Sequence, residues 1–398
     1  MTSPRPSDSS RSATFALFFT VFIDLIGFGI VLPLLPSYAA RLQVGDAGIG
    51  FVVASFSLMQ FLLAPWWGRL SDRVGRRPVI LVGLAGSALS YLLFAYAGNF
   101  WMLLVSRVIA GGMGATVNVA QAYLADVTPP ERRAKAMGLI GAAFGLGFVV
   151  GPAIGGLTSH FGEAVPGLVA AGLSLTNFTL AWFRLPETRV HQLREAATSG
   201  AIHWRLLVAP YAVLLLSTIA FTVMYVVFPL YVERTLRYDR HQTAYLFVLL
   251  GFVTAVVQGG LVGRLVQRFG ERRLMEAGCF LVATGLAALP LTTGAGQEHH
   301  LPALLGVMLL LGLGTGLISP STTGYISRIA SPSEQGRALG LLTSVSAIAR
   351  IVGPILAGAM NQLIGSPATF VTMACLSLAG GLAGFAARGT DAPREVGA

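Results

Sequence analysis

Apolar runs of about twenty residues, separated by short polar segments, repeat along nearly the whole chain. At 1.5 Å per residue such a run crosses a hydrocarbon core of about 30 Å as a helix. Lipid offers the backbone no hydrogen-bond partners, so spanning segments must be helices or a closed barrel. The runs are continuous and lack the period-two alternation of barrel strands, which excludes the barrel. Twelve spans are predicted, at residues 15–39, 49–68, 78–97, 100–124, 136–159, 164–183, 206–232, 243–262, 274–293, 301–326, 338–364 and 367–387. The fold class is therefore an all-α polytopic membrane protein.

The polar segments carry the topology. "GRLSDRVGRRPVI" (68–80) follows the second span, and a partial copy, "GRLVQRFGERRLM" (263–275), follows the eighth. "VGPAIGG" (150–156) in the fifth span is echoed by "VGPILAG" (352–358) in the eleventh. The repeat predicts two pseudo-symmetric six-helix bundles, 15–185 and 206–388, joined by a cytoplasmic linker at 186–205. Residues 1–14 and 389–398 are predicted as tails, the first polar, Ser/Pro-rich and disordered. With the N-terminus inside, the outer segments hold only Arg41, Arg234, Arg237 and Arg240, and nearly all other arginines fall inside. By the positive-inside rule both termini are cytoplasmic.

Composition agrees: 54% of residues are hydrophobic and 11% charged, against about 25% charged in soluble chains. The net charge of +10 would suggest nucleic acid in a soluble protein, but here it is a topology signal with some attraction to anionic lipid. Cys279 and Cys375 lie in apolar runs and read as small buried residues, not a disulfide or metal framework. The histidines fall in predicted connecting segments. No Ser/His pairing, carboxylate cluster or phosphate-cradling loop suggests an enzyme.

Three formal charges sit well inside the spans: Asp24, Arg107 and Arg350. Each costs at least about 2.5–3.5 kcal/mol at a helix centre, so each needs a partner, a wet cavity or a function. Asp24 lies about 13 Å from the cytoplasmic start of the first span, and Arg107 about 11 Å from the outer start of the fourth. They differ by about one helical turn, within reach of a direct or water-bridged contact. A carboxylate whose surroundings change as a cavity opens to either side can couple proton entry to cargo exit. Asp24 is the candidate proton carrier. Asp126, Glu233 and Glu276 stand at span ends, where a solvated structural role is expected.

Several stretches resemble the major facilitator superfamily. "GRLSDRVGRRP" resembles its cytoplasmic signature, and "GLGFVVGPAIGG" (145–156) resembles the antiporter motif of drug/proton exchangers. "DLIGFGIVLPLLP" (24–36) is similar to the first span of twelve-span drug exporters, and "LLVSRVIAGGMGA" carries the arginine motif of the fourth. "EQGRALGLLTSVSAIARIVGP" (334–354) is similar to tetracycline-efflux transporters.

The resemblance implies an MFS fold and export of small lipophilic or cationic, drug-like compounds in exchange for protons. It implies no cofactor beyond the proton gradient, no nucleic-acid partner, a functional monomer and residence in the cytoplasmic (inner) membrane. It assigns proton coupling to Asp24 and Arg107. Gating falls to Gly68, Asp72, Arg73, Gly75, Arg76, Arg77 and Asp126, with Asp72 near Ala338 and Arg76 or Arg77 on Asp126. Gly68 and Gly75 are expected to set the turn. The antiporter motif supplies Gly147, Gly151, Pro152, Gly155 and Gly156. Phe28, Gln60, Asn118, Tyr225, Gln258 and Arg350 are candidates for the cargo cavity.

Two departures matter. Ser90 stands where tetracycline exporters carry an aspartate in the third span, and Val282 falls near an acidic position in the ninth. They argue against tetracycline as cargo and leave coupling on Asp24 alone. The rival reading is a facilitator-type symporter or uniporter of a metabolite, which the antiporter motif opposes. A membrane receptor without a transport cycle is the remote alternative.

Overall fold

A computed structural model describes residues 8–114, 116–128, 130–187, 204–294, 300–330 and 334–386. The regular elements of the described residues are all helices, with no strand. Ten helices are long and apolar enough to cross a membrane: Phe15–Arg41, Asp46–Val74, Arg76–Ala95, Phe100–Leu124, Val165–Arg184, Leu207–Val226, Arg240–Phe269, Glu271–Thr293, His300–Ile329 and Arg337–Phe385. The last is two spans in one, because Gly365 (φ 78°) breaks the helical path and Pro367 restarts it. With the Pro130–Ser159 helix, whose apolar part is Gly145–Ser159, the twelve expected crossings are accounted for.

Several local expectations change. The first helix begins at Asp8, so residues 8–14 are helical, not disordered. Residues 1–7, 188–203 and 387–398, with most of the linker and the C-terminal tail, lie outside the described residues. Cys279 is buried as expected, whereas Cys375 is exposed on an apolar helix surface. His241 and His300 sit in the first turns of helices, not in connections. Glu276 is only 3% exposed. It reaches burial by pairing with Arg272 one turn earlier at 3.3 Å, so it is not a solvated span-end acid.

The chain divides into two compact units, one of residues 1–192 with 229–252, the other of 193–228 with 253–398. The first unit is centred on Leu17, Val21, Leu84, Val119, Tyr123 and Ile140. Part of the second is centred on Val257, Val262, Leu274 and Leu317. Large apolar side chains such as Phe15, Trp101, Phe183 and Leu363 are exposed. On a soluble protein so much bare apolar surface would aggregate; in lipid it is the solvated face.

Glycine sets the closest helix contacts. A methyl group on Gly151 would lie 2.6 Å from Gly29 Cα and 2.8 Å from the Ile26 carbonyl oxygen. Gly147 and Gly155 meet Leu25 and Ile30 in the same way, so the antiporter segment lies flush on the first span beside Asp24. In the second unit Gly353, the echo of Gly151, packs on Thr222 and the Ile219 carbonyl of the seventh span. The sequence repeat is thus a packing repeat. Substitution Gly151→Ala is expected to cost about 1–3 kcal/mol by overpacking and to lower the melting temperature in detergent. Gly68→Ala, with open space around it, leaves that temperature unchanged; equal behaviour of the two variants contradicts the packing argument.

Candidate functional site

The polar heart of the first unit is built by the first, third and fourth spans. Asp24 hydrogen-bonds the buried Ser87 hydroxyl. Arg107 is 3% exposed, with its Nε near Ser106 Oγ at 3.3 Å and its guanidinium 5.1 Å from the centre of the Phe94 ring. Its Nη2 is buried with no hydrogen-bond partner among the described residues. The expected direct contact between Asp24 and Arg107 is not among the ion pairs of the described residues. Tyr91 of the third span, in electrostatic reach of both groups, occupies this region instead. Ser90 is fully buried and donates to the Ser87 carbonyl at 2.8 Å.

The signature loop is a hinge between the second and third spans. The second helix runs on to Val74, so Gly68 is mid-helix and does not set the turn, contrary to expectation. The turn falls on Gly75, whose φ of +101° side chains rarely adopt. Glu187 caps this turn by accepting from the Arg76 backbone N–H at 3.0 Å. Arg76 then gathers the loop: Asp72 at 2.6 Å, Asp126 at 3.0 Å and the Ser71 hydroxyl at 2.6 Å. Arg77 donates to the Trp182 carbonyl and lies over its ring. Of the two arginines considered for Asp126, Arg76 is the one that reaches it. Asp72 pairs inside its own loop with Arg76, and Arg73 closes the last turn of the helix.

The second unit repeats this geometry with the charges exchanged. Gly270 (φ +78°) makes the turn, Glu271 stands where Arg76 does, and Arg328 at the end of the tenth span takes the place of Asp126. The Glu271–Arg328 distance is 2.6 Å.

At the opposite end of the first unit lies a charge cluster that sequence reading missed. Asp46 accepts two hydrogen bonds from Arg234, at 3.0 and 3.2 Å. Glu163 pairs with Arg41 and, at 3.7 Å, with Arg240, and both arginines lie over the Tyr38 ring. Glu233 accepts from Ser37 at 3.0 Å. His160 and His241 have ring centres 3.9 Å apart, and His241 Nδ1 is 3.1 Å from the Gly156 carbonyl oxygen of the antiporter segment. Among the described residues no group of three or more His, Cys, Asp or Glu is placed to hold a metal ion.

The six cavity candidates divide between the units. In the first, Phe28 packs its ring on Phe56 and Phe148, Gln60 donates to the Gly114 carbonyl at 3.1 Å, and Asn118 is exposed. In the second, Gln258 lies exposed in a π-helical stretch, Val257–Leu261, of a kind frequent at functional positions. Arg350 is exposed mid-span, in electrostatic reach of Tyr225.

Repeated helical units, intramembrane charges and mirrored hinge loops define a membrane carrier. Comparison with known proteins makes this specific. The family model described as Major Facilitator Superfamily matches residues 17–299 and 211–398. The class D tetracycline resistance protein of Salmonella ordonez is 32% identical over 360 residues, covering 87% of this chain and 89% of the relative. The quinolone resistance protein NorA of Staphylococcus aureus is 26% identical, again over 87% of this chain and 89% of the relative. The solved human organic anion transporter MFSD10 is 25% identical with a TM-score of 0.67, covering 94% of this chain and 99% of its own. The chain belongs to the Major Facilitator Superfamily. It is an integral membrane transporter, not an enzyme.

Proposed function

We propose that the chain exports small lipophilic compounds in exchange for protons, by alternating access of two six-helix bundles (15–185 and 206–388). Asp24 carries the proton, Arg107 tunes it, and the loop around Arg76 gates the cytoplasmic side. The protein works as a monomer in the cytoplasmic membrane, with both termini inside. The observation that carries this reading is the placement of Asp24: a mid-span acid on the helix that lies flush against the antiporter glycines. Its relatives named for tetracycline and quinolone resistance support drug-like cargo.

A second reading, organic anions as cargo, is favoured by one observation: the mid-span Arg350, exposed beside Tyr225. The test is purified protein in liposomes carrying a pH gradient, offered a lipophilic cationic dye or an anionic one. Export predicts dye movement opposite to protons and its arrest when the gradient is collapsed. Movement of dye with protons, or indifference to the gradient, overturns the exporter. The preferred dye decides between the two cargo classes.

A further inference from the structure

The third span presents one strip to the charges of the first unit. Ser87, Tyr91 and Phe94 are spaced i, i+4 and i+7, so they share a helix face. Each meets a different part of the site. Ser87 holds the Asp24 carboxylate, and Phe94 lies beneath the Arg107 guanidinium. Tyr91, between them on the strip, is in electrostatic reach of both charges.

The ring has a seat made for it. A methyl group on Gly27, one turn beyond Asp24, would lie 3.0 Å from Tyr91 Cε2, 3.2 Å from Cζ and 3.1 Å from the phenol oxygen. Without a side chain at Gly27, the phenol lies flat on the first span, 5% exposed. Arg107 is buried with an unpartnered Nη2 and no ion pair to Asp24 among the described residues. In a low-dielectric interior, hydrogen-bonding groups near both members of such a pair polarise one another and can link them.

The other described groups on packed elements do not compete for this role. Span six faces the first and third spans with Asn177, on the Thr20 carbonyl at 2.7 Å, and Ser174, on the Leu84 carbonyl at 2.9 Å. Neither titrates. Span five meets the first span through glycines, which lie on Leu25, Ile26, Gly29 and Ile30. Tyr123 of span four commits its hydroxyl to the Pro186 carbonyl at 3.0 Å. Among the described residues, the titratable or charged groups around Asp24 are therefore Tyr91 and, beyond it, Arg107.

We propose that Tyr91 is the positioning residue through which Arg107 acts on Asp24. This deepens the exporter reading and rests on it. The phenol keeps its own proton throughout. It donates to the ionised Asp24 carboxylate, and Arg107 polarises that donor from the other side. When Asp24 takes up a proton the phenol is released, and it can turn its oxygen lone pairs to the Arg107 N–H groups. No bond other than the carboxyl O–H is made or broken.

The test is the pH profile of cargo-induced proton release from purified protein. Tyr91→Phe keeps the ring on Gly27 and removes only the hydroxyl. The ionised carboxylate loses a donor, so the profile midpoint is expected to move toward alkaline pH by about one unit, a tenfold change in proton affinity. Gly27→Ala, which displaces the ring and leaves the hydroxyl, should move it the same way. In the Tyr91→Phe background, Arg107→Gln should add little further shift, whereas in the wild-type background it shifts the midpoint strongly. A slower turnover at an unchanged midpoint in both Tyr91→Phe and Gly27→Ala, or fully additive effects of Tyr91→Phe and Arg107→Gln, overturns the proposal and leaves the exporter reading standing. Failure of the wild type to release protons on cargo binding at any pH overturns both.

Discussion

Asp24→Asn nearly abolishes uphill export while leaving cargo binding almost intact. Asparagine matches aspartate in shape and can keep the contact with Ser87, but it cannot exchange a proton at any accessible pH. The substitution removes a charge that costs at least about 2.5–3.5 kcal/mol at a helix centre, so the variant should insert and fold at least as well as the parent. Lost export therefore reports lost coupling, not lost protein. Export against a gradient is expected to fall by roughly a hundredfold, equivalent to about 2.7 kcal/mol of coupling free energy. Dye binding, measured by fluorescence quenching, should change by less than about threefold, or 0.7 kcal/mol. Binding also loses its pH dependence, because the group that linked cargo to protons is gone. A variant that still exports uphill, and still stops when the proton gradient is collapsed, would falsify the assignment of the proton to Asp24.

What could be read in the sequence follows from which forces are local. Lipid punishes charge and bare backbone residue by residue, so the spans and the three intramembrane charges stand out without any tertiary knowledge. The glycine runs were legible as packing surfaces for a similar reason, since small residues at helical spacing permit close approach. Tyr91 was not legible. A tyrosine in an apolar run looks like any other aromatic, and its role depends on the first span offering a glycine, Gly27, opposite it.

The cluster at the far end was hidden by distance along the chain. Asp46 and Arg234 are 188 residues apart, and each is an unremarkable span-end charge by itself. The signature motif combines two glycines, while backbone geometry assigns the turn to one. Gly75 has the positive φ, and Gly68 is an ordinary helical residue. In sequence the second loop is a partial copy of the first. It is better described as the same hinge with its charges exchanged, a relation that appears only when Asp126 and Arg328 are seen at the ends of their spans.

That exchange makes a quantitative prediction about the two hinges. Arg76→Asp places a carboxylate against Asp126 and one turn from Asp72, replacing two attractions by two repulsions. The pairs are partly exposed, so little global stability is at stake. A bias of 1–2 kcal/mol between conformers still changes their ratio by roughly 5–30-fold. Turnover in liposomes is expected to fall by about that factor. Adding Asp126→Arg restores the pair with Asp126 reversed but leaves Asp72 facing an acid at i,i+4, so recovery is incomplete. Adding Asp72→Asn as a third change removes that last repulsion and completes the rescue.

The second hinge behaves differently. Gln267 stands where Asp72 does in the first, so no acid waits one turn before Glu271. Glu271→Arg alone slows turnover, and Glu271→Arg with Arg328→Glu recovers it without a third change. If the double exchange fails in the second hinge while succeeding in the first, the two loops are not mirror images in energy. The pairing at 2.6 Å between Glu271 and Arg328 would then be packing without a part in the cycle. Equal and complete recovery in both would remove Asp72 from the gate and leave Arg76 and Asp126 as its whole substance.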